Sequence, residues 1–248
     1  MKYIKLLLVV FLLPLSLDAQ VVFSEFGGGL SSWTRVYSSP DESILLVNPS
    51  QEQGKSNTVI VPTIYGKVDL GRTFGLRGRI GYAQNSFQSS LILGDLTRNE
   101  KLVQTILPVG FALEFKLPFS KVTGQSSESN SEDSDQKDVS KEISAKSHFI
   151  GGIGLSRYFI QHSFTREISG GEGSLAGSKF SGNDFGLTAM IGYSKLISER
   201  IIFTLFSQFN SGSYDHRLYS EDVSGAYDVK NISLRGLEVG ITVGFKLK

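Results

Sequence analysis

LRGLEVGITVGFKLK, residues 234–248, decides the fold. From Leu237 onward it alternates without a break. Leu237, Val239, Ile241, Val243, Phe245 and Leu247 fall on one face, and Glu238, Gly240, Thr242, Gly244 and Lys246 on the other. Successive side chains of a strand point to opposite faces, so this is a strand with one large apolar face and one small, sparsely charged face. A soluble sandwich packs its apolar face inside and shows water a polar one, which seldom uses so much Gly. Small residues with scattered opposite charges suit the cramped interior of an eight-stranded barrel, which side chains just fill. The apolar face then points at lipid.

Seven more segments repeat the pattern. The vaguest is 22–37. In 57–70, Ile64, Gly66, Val68 and Leu70 oppose Thr63, Tyr65, Lys67 and Asp69. In 73–86, Phe74, Leu76, Gly78, Ile80 and Tyr82 oppose Gly75, Arg77, Arg79 and Gly81. In 102–117, Val109, Phe111, Leu113, Phe115 and Leu117 oppose Gly110, Ala112, Glu114 and Lys116. The segments 147–160, 184–196 and 200–212 follow suit, and 232–247 completes the set. The expected fold is all-β: an eight-stranded antiparallel up-and-down transmembrane barrel. Pro62 and Pro108 fall inside two of these strands, where a closed ring has no free edge. Both require a bulge or the end of pairing at the outer rim.

Walking the strands alternately up and down gathers the aromatics at two heights. Phe74, Phe115, Phe149, Tyr193, Phe203 and Phe245 fall at one end, and Tyr82, Phe159, Phe185 and Phe209 at the other. Phe74 to Tyr82 spans roughly 27 Å of strand at ~3.4 Å per residue. Tilted near ~40°, that is about 21 Å of height, close to the ~25 Å apolar band of outer-membrane barrels. Connections alternate as well. Gly71–Arg72 and Ile197–Glu199 are short, as periplasmic turns are. Strands 1–2, 3–4, 5–6 and 7–8 are joined by long stretches expected as extracellular loops, including the Gly-rich 168–180. The exception is 118–146, too polar to bury a core, expected as a disordered periplasmic linker between strands 4 and 5.

Residues 1–19 read as a secretory signal peptide. Lys2 and Lys5 precede the apolar run Leu6–Leu17, with cleavage expected after Ala19, leaving 20–248 as the barrel domain. The run is too short for a spanning helix, and no later segment qualifies. Without Lys2, Lys5 and Asp18 the chain carries 23 bases and 23 acids, so no basic excess points to nucleic acid. The chain has no Cys, which excludes disulfides and thiolate metal sites. Three His without paired spacing make no metal site, and no cofactor motif is present.

These residues resemble the small OmpA/OmpX-type barrel families. More narrowly they look like the outer-membrane β-barrel domain proteins of Bacteroidetes-type bacteria. The signal ending LDAQ, the alternating segments and the closing strand carry the resemblance, which covers nearly all of the mature chain. It implies residence in the outer membrane and says little about activity.

Within the barrel the inward charges should form a network. Arg77 and Arg79 lie beside Glu114 and Lys116 on one side and Lys67 and Asp69 on the other. Glu25 meets Lys246 at the closing seam, and Glu238 joins from the last strand. Opposite signs in so confined a space should pair, because an unpaired charge there is costly. A structural plug is the expected result, with a narrow solute channel as an alternative. A rim-located lipid-modifying enzyme is the other alternative, with His162–Ser163 and Asp215–His216 as its candidates. Neighbours on one strand point to opposite faces, so neither pair makes a dyad by itself. Trp33, Tyr37, Tyr214, Tyr219 and Tyr227 are expected on the loop side, contacting lipopolysaccharide or a surface partner. The function expected is structural or surface interaction, without catalysis. The expected partners are outer-membrane lipid, lipopolysaccharide and an extracellular ligand or protein.

Overall fold

The computed structural model describes residues 21–36, 58–71, 73–118, 147–170, 174–219 and 227–247. The expected signal peptide, Tyr37 and all of the 118–146 linker but Pro118 lie outside them. The described residues form β1 (Val21–Arg35), β2 (Thr58–Leu70), β3 (Phe74–Gly81), β4 (Ala83–Leu93), β5 (Leu96–Pro118) and β6 (Ser147–Ser169). They continue with β7 (Ser174–Leu196), β8 (Ile201–Asn210), β9 (Ser213–Tyr219), β10 (Tyr227–Ser233) and β11 (Gly236–Lys246). All pairings are antiparallel, and β3 also pairs with β5. The ring therefore closes through eight strands: β1, β2, β3, β5, β6, β7, β8 and β11. Its seam is the β1–β11 ladder, which runs from Glu25 opposite Lys246 to Arg35 opposite Gly236. Closure matters energetically, because lipid offers a bare sheet edge no hydrogen-bond partner.

The apolar faces look outward. Phe111 is 61% exposed, Leu187 64% and Ile241 44%, whereas Glu114 is 0% exposed and Glu238 2%. At this height the inside of the ring is polar and buried while the outside is bare hydrocarbon, the reverse of a soluble protein. A bulge between Phe23 and Glu25 shifts the register of β1, so Ser24 and Glu25 are both buried.

Three strands are interrupted near the upper edge of the apolar belt. β3 gives way to β4 at Tyr82, β8 to β9 at Ser211–Gly212, and β10 to β11 at Leu234–Arg235. The first break has a local cause. Ile80 pairs with Val109 and Ala83 with Ile106, but the two positions between them do not pair. Pro108 lies in that gap and has no N–H to donate. On the other side the β2–β3 ladder ends at Thr63–Gly81, and the Tyr82 amide donates to the Pro62 carbonyl at 3.1 Å. Both prolines thus sit where pairing stops on one side, while Leu30–Pro62 and Pro108–Tyr158 stay in register on the other.

Above this level the expected loops 87–101 and 161–183 hold paired strand over 87–93, 96–101, 161–169 and 174–183. β4 and β5 run on to a two-residue turn, Gly94–Asp95, closed by the Leu93–Leu96 pair, with Gly94 at φ 60°. Two-residue hairpin turns demand such left-handed residues. β6 and β7 stay paired from Ser147–Lys195 to Ile168–Ser174, so Ser174–Phe180 of the Gly-rich segment is strand as well. The alternation persists but changes sign. Outward positions become Gln84, Gln88, Gln161 and Ser181, and inward ones become Ala83, Phe87, Leu102 and Ile106. A search for outward apolar alternation fails where the faces exchange, which is why these segments read as loops.

Candidate functional site

Many polar groups converge in the lumen. It is built in layers, and the sequence-selected charges occupy the lower ones, toward the short turns. Lys67 on β2 and Arg77 on β3 both reach Glu114 on β5, the arginine at 3.0 Å. Arg77 lies over the Tyr65 ring, its guanidinium carbon 3.8 Å from the centroid, and Tyr65 donates to Glu25. Gly244 makes this possible, since a Cβ there would collide with the Glu25 carboxylate and the Tyr65 hydroxyl. Lys116 and Asp69 pair at 2.8 Å, nearer the turn end and more exposed. Lys246 lies opposite Glu25 in the ladder, at the exposed end of β11.

One layer up, Arg79 crosses the barrel from β3 to β11. It pairs with Glu238 and donates to Gln208 at 2.9 Å. Glu238 also accepts from Ser31 and, at 3.0 Å, from Asn210. Arg77 crosses too, donating to Thr242 at 3.4 Å. These side chains run as chords across the ring. Between them remains a cavity of about 20 Å³ bordered by Thr63, Tyr65, Arg77, Arg79 and Thr242. That is room for roughly one water molecule.

The upper lumen changes character. Trp33, Val61, Ala83, Ile106, Tyr158, Ile160, Tyr214, Ile232 and Leu234 form a buried apolar cluster. Trp33 and Tyr214, expected as surface aromatics, are only 1% and 2% exposed. The reason is again the exchange of faces: above the belt, inward positions take the large apolar residues. The side chains of Tyr219 and Tyr227 lie outside the described set.

His162 on β6 and His216 on β9 meet inside this cluster, ring centroids 5.0 Å apart and flanked by Phe180. Their sequence neighbours Ser163 and Asp215 lie on the opposite face of the sheet. A donor relay leads to His162: Arg35 donates to Gln104 at 3.0 Å, Gln104 to the Tyr214 hydroxyl at 3.2 Å, and that hydroxyl lies 2.9 Å from His162 Nε2. The direction of the Tyr214–His162 bond follows the His162 tautomer, and His162 Nδ1 is buried without a hydrogen-bond partner among the described residues. No spacing in the sequence marks this pair, since the two residues stand 54 positions apart. Higher still, Glu100 gathers Arg98 at 2.7 Å and Arg166 at 2.9 Å.

Burial, then the neighbouring His216 and Arg35, push the His162 pKa down to about 3. An unfolded His titrates near ~6.5, so in that interval the unfolded state holds the extra proton. Stability from this group is complete above ~6.5 and declines as pH falls toward 3, by at most about 1.4 kcal/mol per unit. Amide exchange in β6 and β9 should therefore accelerate between about pH 6.5 and about pH 4 relative to β11. Replacing His162 with Phe should flatten that difference, and a profile unchanged by the substitution would rule the explanation out.

The outer surface carries the sequence-selected aromatics. At the turn end Phe74 lies opposite Phe115, Phe149 against Tyr193 at 5.6 Å, and Phe245 stacks on Phe26 at 5.7 Å. Phe203 lies opposite Val243 in the same tier. Tyr82, Phe159, Phe185 and Phe209 are exposed at the hairpin end of the belt.

No protein-family model matches the chain, and no curated protein matches it. Solved structures do. The outer membrane protein OprG from Pseudomonas aeruginosa aligns with a TM-score of 0.52 at 12% identity, over 92% of this chain and 98% of that one. Neisserial surface protein A aligns at 0.44 and 11% identity, over 92% and 99%. A major outer membrane protein from Thermus thermophilus aligns at 0.42 and 9% identity, over 90% and 99%. With its closed ring of eight strands and its bare apolar exterior, this chain has the outer-membrane β-barrel fold, which it shares with OprG.

Proposed function

We propose that this barrel is a non-enzymatic structural protein of the outer membrane, a sealed peg that holds its hairpins outside the cell. The short turns at Gly71 and Ile197–Arg200 then face the periplasm, where export by the 1–19 signal leaves both termini. The observation that carries the reading is the obstructed lumen. Chords from Arg77 to Thr242 and from Arg79 to Glu238 cross the lumen, with room between them for roughly one water. Ions would have to strip their hydration and displace buried pairs to pass. A catalytic reading has less support. His162 and His216 are 2% and 7% exposed in an apolar surround, and Ser163 and Asp215 point away from them. The extended hairpins offer the protein's aqueous surface to an extracellular ligand or protein. The finer kinship, with Bacteroidetes-type barrel proteins, rests on the LDAQ signal ending and the closing strand.

Purified full-length protein in a planar bilayer should give no steady conductance; a large, sustained current would overturn the sealed-peg reading. Cells carrying His162→Ala or His216→Ala should keep the parental lipid A profile, and altered acylation would restore the enzyme.

A further inference from the structure

A cation, Arg157, stands on the outward face near the upper edge of the belt. Outward positions on β6 run Phe149, Gly151, Ile153, Leu155, Arg157, Phe159 and Gln161. Below Arg157 the surface is hydrocarbon: Leu155 pairs with Phe111 on one side and Leu187 on the other. Above it the surface turns polar, with Gln161, Thr105 and Ser181 side by side. Arg157 therefore stands at the boundary, level with Phe185.

Its side chain is held in place. The guanidinium carbon lies 5.2 Å from the ring centroids of both Phe159 and Phe185, and Nη2 donates to Asn183 Oδ1 at 2.7 Å. Among the described residues, no carboxylate pairs with it. This differs from Arg77, Arg79, Arg98 and Arg166, each of which reaches a buried glutamate. A guanidinium has five N–H donors, and Asn183 takes one. A positive charge at the edge of hydrocarbon, oriented by two rings and lacking a protein anion, is complementary to an anion of the lipid itself. Phosphate is the group whose geometry a guanidinium fork matches in a bidentate manner. The apolar surface of Phe111, Leu155 and Leu187 directly beneath would take the acyl chains of the same molecule. A soluble anion would leave that surface unused.

We propose that Arg157, fixed between Phe159 and Phe185 and oriented by Asn183, binds a phosphate of the outer-leaflet glycolipid. The inference rests on the hairpin end facing outward. The experiment is lipid retention by native mass spectrometry on the full chain in detergent, titrated with lipid A, dephosphorylated lipid A, phosphatidylglycerol or inorganic phosphate. Lipid A should bind Arg157→Gln at least about tenfold more weakly than the parent, the scale of losing one charge-assisted fork. Arg157→Lys should fall between the two. Dephosphorylated lipid A should bind the parent as weakly as it binds the Gln variant, and inorganic phosphate should not compete. Asn183→Ala, which leaves the charge in place, should weaken lipid A by about threefold, a neutral hydrogen bond's worth. Equal lipid A retention by parent and Gln variant would overturn the proposal. So would phosphatidylglycerol binding as tightly as lipid A, or competition by free phosphate. Heat-modifiable migration on a denaturing gel reports the closed barrel separately. A variant that keeps the shift but loses lipid A speaks to the site; loss of the shift by the parent speaks against the barrel itself.

Discussion

Glu114→Ala should be the most damaging single change in the lumen, lowering stability by about 3–5 kcal/mol, the usual cost of removing one partner from a buried ion pair. Glu114 is fully buried and serves both Lys67 and Arg77. Truncation would leave two cations facing each other in a space where water has little room. Urea unfolding in lipid vesicles, monitored by the slow-migrating form, would measure the loss. The pair need not stabilise the fold in itself. Replacing Lys67, Arg77 and Glu114 together with Met, Leu and Leu removes all three charges and fills similar volume. That triple variant should recover most of the loss or exceed the parent. If the single and triple variants were equally unstable, shape rather than charge would be the cause. An unaffected Glu114→Ala variant would mean that water reaches Lys67 and Arg77, and the sealed lumen would fall with it.

Ile241→Arg tests the outside in the same way. Ile241 lies midway between Leu237 and Phe245 on the outward face of β11, flanked by Leu30 and Leu205. At mid-belt depth an arginine on the lipid face should cost about 2–4 kcal/mol. Gln161→Arg, on the outward face of β6 above the belt, should change stability by less than about 0.5 kcal/mol. The contrast in one protein separates lipid from water as the solvent of the two heights. In a soluble protein both positions are exposed surface, and both substitutions would be mild. Equal, small effects would therefore refute the lipid-facing belt.

The same difference in solvent explains what can be read from the chain without its structure. Within the belt, Leu237–Phe245 and Phe74–Tyr82 obey a period of two with apolar residues always on the same side, because every outward position there meets hydrocarbon. A local rule suffices, and strand parity then sorts Phe74, Phe115 and Phe245 to one height and Tyr82, Phe159 and Phe209 to the other. Above the belt the outside is water. Phe87, Leu102, Phe164 and Phe180 turn inward while Gln88 and Gln161 turn outward. The period survives and its meaning reverses, so the long hairpins are indistinguishable from loops to a reading that holds one face fixed. The expectation for Trp33 and Tyr214 fails for that reason.

Within the belt, alternation in the sequence by itself determined the strands, their inward and outward faces and the number that close the ring. It set Lys67, Arg77, Glu114 and Glu238 on inward faces. Only the tertiary structure decided which of them meet: Arg79 reaches across to Glu238, Arg77 to Thr242, and His162 lies against His216. The physical reason is that facing is a property of one strand and its solvent, whereas a partner across the lumen depends on how all eight strands are staggered when the ring closes.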